Sequence, residues 1–145
     1  MTQQKKNIIE SADYIKQESP FKGKPDIAII TNRDASFLKE FKILGKIKSK
    51  DIPPMNEPTG KGDSKELLFA TMKGVKKDII IINGRYHFYN GYPLRDIVHP
   101  VYVMKELGVK TIILIDEVGY LNPRFQIGGV SLIYDHINLM GDNPA

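Results

Sequence analysis

Cysteine is absent from this 145-residue chain, which excludes a disulfide framework and any thiolate metal site. Histidine is scarce, with three residues and no carboxylates at a matching spacing, so no zinc ligand set is expected. Long apolar runs are missing as well. Nothing approaches a membrane span, and the opening MTQQKKNIIE has no core for a signal peptide. A soluble, cytoplasmic protein without a metal or organic cofactor is the expectation. A clustered basic stripe with interleaved aromatics is also lacking. The formal charge of +4 and pI near 9.2 come from scattered lysines such as Lys5, Lys22, Lys39 and Lys48. Spread in this way they describe a solvated surface, and neither nucleic acid nor membrane is an expected partner.

What is present fits one domain over residues 1–145, with an ordinary balance of 41% apolar and 26% charged residues. Residues 1–6 are polar and expected to fray. Ile8, Ile9, Ala12 and Ile15 recur at helical spacing, predicting an amphipathic helix over 7–17 that stops at Ser19-Pro20. The β-branched run at 27–31 reads as a central strand. Phe37, Leu38 and Phe41 suggest a short helix, and 43–48 a second strand. Residues 49–64 hold three prolines and two glycines and predict a long functional or mobile loop. Strands at 67–72 and 79–82 follow, joined by a hairpin turn at 73–77. A helix over 93–107 has Pro93 in its first turn, Pro100 inside it and Gly108 at its end. Strands at 109–115 and 130–134 complete the set. Strands alternating with helices argue an α/β protein with a mixed, mostly parallel central sheet in three layers.

The chain is organised around residues 78–122. Five residues, almost all isoleucine, run into Gly84-Arg85-Tyr86-His87-Phe88-Tyr89, which places a guanidinium, an imidazole and a phenol at the carboxyl end of a buried strand. In open α/β sheets ligands are held there. His99 and His136 are expected to be structural.

From residue 79 to 144 the sequence resembles the trimeric class of purine nucleoside phosphorylases. The matching residues are Gly84 through Tyr92, Pro100-Val101, Leu107-Gly108-Val109, Thr111, Gly119-Tyr120-Leu121-Asn122-Pro123, Gly128, Asp135-His136-Ile137-Asn138-Leu139 and Asn143-Pro144. The resemblance implies the N-terminal half of that fold. It also implies phosphate binding by Arg85 and His87 and a ribose contact by Tyr89. An arginine offers a planar fork to an oxyanion, a histidine adds a donor, and a tyrosine gives a sugar-facing surface with a polar tip.

Three loops depart from the family pattern. Its glycine-serine-glycine turn is replaced by Thr31-Asn32-Arg33-Asp34-Ala35, whose β-carbons obstruct a backbone phosphate cradle. Its histidine-bearing loop corresponds to Gly60-Lys61-Gly62-Asp63-Ser64, without histidine. Its small-residue loop after the 111–115 strand has become Asp116-Glu117-Val118. At ~4 Å and an effective dielectric of ~20, each of those carboxylates would repel a unit anion by roughly 4 kcal/mol. Arg33 is expected to fill the vacated anion site by pairing with Glu117 or Asp63.

The family's purine-reading carboxylate and asparagine lie in a half with no counterpart here. A non-catalytic phosphorylase-like protein serving binding or assembly is therefore the first expectation. The second is a working phosphorylase completed by another chain, and the third a small phosphate- or nucleotide-binding module. Phosphate or a purine nucleoside is the expected small ligand. Half of a wrapped sheet exposes apolar edge, so a homo-oligomer or a covering protein partner is expected.

Overall fold

The computed structural model describes residues 1–31, 35–54 and 65–143. Helix α1 spans Gln3–Glu18, strand β1 Ile27–Thr31, the short helix α2 Ala35–Leu38, and β2 Phe41–Lys48. Strands β3, Glu66–Met72, and β4, Val75–Asn83, precede helix α3, Leu94–Glu106, and strand β5, Thr111–Ile115. The sheet has the order β2-β3-β4-β1-β5. The expected mixed sheet is present. β1 pairs in parallel with β4 and β5, while β2-β3 and β3-β4 are antiparallel, so parallel pairing is confined to the half that carries the loops of interest.

Period-two burial sorts the strands onto two faces. Ala28, Ile30, Leu67, Phe69, Ile80 and Ile82 face α1 and α3, meeting Ala12, Ile15, Val103 and Met104. Ile29, Leu68, Ala70, Ile79 and Ile81 form the opposite face, against Phe37 and Leu38 of α2. Three layers result, with unequal helical cover. No helix among the described residues is long and apolar enough to cross a membrane.

Several expectations need correction. Residues 3–6 are helical and do not fray, because the Thr2 side chain accepts from Lys5 N–H and caps α1. Phe41 belongs to β2, where it pairs with Met72. The β3-β4 turn is only Lys73-Gly74, since Val75 already pairs with Met72. Pro93 caps α3 and lies outside its first turn. Gly108, at φ +89°, closes that helix in a Schellman motif, with its N–H on Lys105 O and Val109 N–H on Met104 O. Residues 130–134 form no strand and are exposed. Strand propensity needs a partner ladder, and β5 is paired only with β1 among the described residues. Of the 49–64 loop, Ser49–Asp51 make a 3₁₀ turn and Ile52 is buried, while 55–64 lie outside the described residues.

His99 does more than pack. The buried Ser11 hydroxyl donates to Pro53 O at 2.5 Å, so it can only accept from His99 Nε2–H at 2.9 Å. Nε2 of the imidazole thereby carries a proton, and the bond ties α3 to α1. Burial lowers its pKa, against a smaller opposing pull from Asp96. A histidine with a depressed folded pKa contributes stability that is complete above its unfolded value of ~6.5 and is lost as pH falls through the folded one. Replacing Ser11 with alanine leaves both partners unsatisfied. Urea denaturation should show Ser11→Ala destabilised by about 1–3 kcal/mol at pH 7.5, a penalty that does not shrink at pH 5, because Nε2 carries its proton in both the neutral and the charged ring.

Candidate functional site

The register of the parallel strands sets the site. Thr31 of β1 is level with Asn83 of β4 on one side and Ile115 of β5 on the other. The next residues along β4 and β5 therefore leave the sheet together, flanking the buried end of β1. Gly84 makes the first turn. Its N–H donates to Thr31 O at 2.7 Å and its φ is +94°, a conformation that a side chain resists. A Cβ there would also stand 2.6 Å from Lys65 Cγ.

Lys65 supports the loop from beneath. It is almost fully buried, and its ammonium donates to the Arg85 carbonyl at 2.6 Å and lies 4.1 Å from the centre of the Tyr86 ring. Tyr92 meets Tyr86 edge-on, with ring centres 4.8 Å apart, and is 5.8 Å from the same ammonium. A cation over two aromatic faces is stabilised by their ring quadrupoles. Burial first, then Tyr92 and Asp96, pushes the Tyr86 hydroxyl up to about 12, so it stays a neutral donor.

Above this base the side chains point outward. Arg85 Nη2 forms an ion pair with Asp116 Oδ2, while Arg85 Nε is buried without a hydrogen-bond partner. His87 stacks on Tyr89, with centroids 4.7 Å apart and planes at 18°. Its pKa is lowered by burial, then by Arg85 and Lys65, against an opposing pull from Asp116. Tyr89 is 80% exposed, so its outer face is open to a ligand.

Arg85, His87, Tyr89 and Asp116 thus gather at one sheet end, and Glu117 follows, exposed, on the β5 loop. Arg33 and Asp63 lie outside the described residues, and with them the pairing expected for Arg33. Among the described residues, Asp116 pairs with Arg85. Sequence reasoning missed Lys65, Tyr86 and Tyr92. The alternation Arg85, Tyr86, His87 was the available signal, since in extended chain the middle residue turns inward. The arrangement offers two guanidinium donors, a neutral imidazole and a stacked aromatic surface. These suit an oxyanion joined to a sugar.

A family model described as the phosphorylase superfamily matches residues 26–145. Purine nucleoside phosphorylase 1 of Bacillus subtilis is 38% identical over 141 residues, covering 97% of this chain and 51% of that protein. The bovine purine nucleoside phosphorylase is 39% identical over 97 residues, covering 65% of this chain and 33% of its own. Among solved structures, the Schistosoma mansoni purine nucleoside phosphorylase complexed with a monocyclic inhibitor superposes with a TM-score of 0.69 at 27% identity. That match covers 83% of this chain and 43% of the other. The chain spans about half the length of the bacterial relatives it matches.

The electrostatics of the loop can be read at His87. Arg85→Ala removes a like charge and should raise the His87 pKa, whereas Asp116→Asn removes a favourable one and should lower it further. An NMR titration of the imidazole protons measures both. Shifts of the same sign, or none, would contradict the described geometry.

Proposed function

Because the chain belongs to the phosphorylase superfamily, we propose that it is a purine nucleoside phosphorylase-like protein that does not turn over nucleosides alone. Its fold serves binding or assembly, and the Arg85, His87 and Tyr89 loop is a retained oxyanion and sugar subsite. The observation that carries this reading is the course of the chain after β5. Residues 116–143 form no helix or strand and hold Leu121, Val130, Leu132 and Tyr134 almost fully exposed. One side of a site is built, at the ends of β4, β1 and β5, and the segment beyond it packs no opposing wall.

Phosphorolysis needs the purine held and its leaving nitrogen stabilised in the transition state. Among the described residues, the ends of β4 and β5 offer anion and sugar contacts and no wall for a base. The exposed side chains give the fold a different use. Each large apolar group moved from water into an interface contributes about 1.5–3 kcal/mol, so a second copy or a protein partner on this segment would be well rewarded. The same exposure favours a second reading, a working phosphorylase whose site is completed by another chain.

Inosine and guanosine phosphorolysis at high protein concentration, together with sedimentation equilibrium, separates the two. The proposal expects no turnover from the chain alone and a particle mass above 16.4 kDa. Turnover that Arg85→Ala abolishes would establish the second reading, turnover by a free monomer would contradict both, and an inactive monomer would rule out self-assembly and leave a different protein as the cover.

A further inference from the structure

The ion pair at the end of the sheet joins residues that are two strands apart. β4 and β5 lie on opposite sides of β1, and strands are spaced at ~4.8 Å, so the loops that carry Arg85 and Asp116 start on the order of 10 Å from each other. The pair is closed by a long guanidinium side chain laid over the end of β1.

Two further features show that Asp116 meets only part of what Arg85 can donate. Among the described residues, the contact is made through Nη2, while Nε is buried and has no hydrogen-bond partner. A guanidinium presents Nε–H and Nη–H as a parallel fork that matches two oxygens of one anion. A buried donor left unmade carries a real cost. The loop itself is already fixed without the pair, because Lys65 holds the Arg85 carbonyl and Gly84 is bonded to Thr31. The backbone at Arg85 is thus held, and Asp116 is the more exposed member of the pair, at 44% against 25%.

We propose that Asp116 is an intramolecular competitor for the oxyanion subsite: its carboxylate occupies Arg85, and an inorganic phosphate or a sugar phosphate binds the Nε/Nη fork only by displacing it. This rests on the reading of Arg85 and His87 as an oxyanion subsite. A tetrahedral oxyanion engages both fork donors, with His87 as a further donor, whereas Asp116 engages one. Asp116 therefore sets the threshold concentration at which the loop takes an anion. It also selects against a monatomic anion such as chloride, which cannot bridge both fork donors.

The test titrates inorganic phosphate, at constant ionic strength, into wild type, Asp116→Asn and the double variant Arg85→Ala/Asp116→Asn. Isothermal calorimetry is the readout, with thermal shift as a second measure and circular dichroism to establish folding. Asp116→Asn should bind phosphate at least tenfold more tightly than wild type, and the double variant should lose the gain. Should Asp116→Asn fold poorly, Asp116→Ser replaces it. If wild type already binds through Arg85 and Asp116→Asn binds no more tightly, the competitor role is overturned while the oxyanion subsite stands. If folded wild type and Asp116→Asn both fail to bind, the subsite reading falls with it. A gain that survives Arg85→Ala places the anion elsewhere and also overturns the proposal.

Discussion

Arg85 and Asp116 leave the sheet on either side of β1, and their ion pair lies across the end of the strand between them. The level ending of three parallel strands makes that contact available. Thr31, Asn83 and Ile115 share one register line, so a side chain one or two residues past the outer strands can reach over the middle one. A one-residue slip of β5 would turn its side chains to the other face and carry the carboxylate away. The buried isoleucines of β1 and β4, with the partly buried Ile112 and Ile115 of β5, oppose such a slip. Core packing and site geometry are therefore one constraint.

Beneath the pair, the loop is held by contacts that do not depend on a ligand. The buried Lys65 ammonium binds the Arg85 carbonyl and lies over Tyr86, and Gly84 permits the close approach of that lysine. These supports preorganise Arg85, His87 and Tyr89 in the absence of any anion, which is what a binding loop requires if affinity is not to be spent on ordering it. In contrast, residues 117–143 are exposed throughout and hold Leu121, Val130, Leu132 and Tyr134 almost wholly in solvent. A rigid anion-facing loop beside a long exposed apolar segment suits a protein whose remaining contacts come from another molecule.

Much of the fold was legible in the sequence. The isoleucine runs of β1 and β4, the helical spacing in α1 and α3, and the Gly108 stop are local signals, and each corresponds to an observed element. The 130–134 run carried the same β-branched signal and formed no strand, because propensity supplies no partner strand. At the site, the order of residues after β4 pointed to Arg85, His87 and Tyr89, and Asp116 stood out as a carboxylate in an anion's path. Which cation it would meet was not legible. That depends on the order β4-β1-β5, a non-local fact that no spacing in the sequence encodes. Lys65 was hidden for the same reason, since it reaches the loop from just before β3, the strand paired with β4.

The account stands on the energetic coupling of Arg85 to Asp116, which a double-mutant cycle of Arg85→Ala and Asp116→Asn measures in anion-free buffer by urea denaturation. Both side chains are partly exposed, at 25% and 44%, which places the expected coupling near the upper end for such pairs, about 0.5–1 kcal/mol, shrinking as salt is added. Strictly additive single substitutions would mean that the two side chains do not meet in solution and that the end of β1 is open.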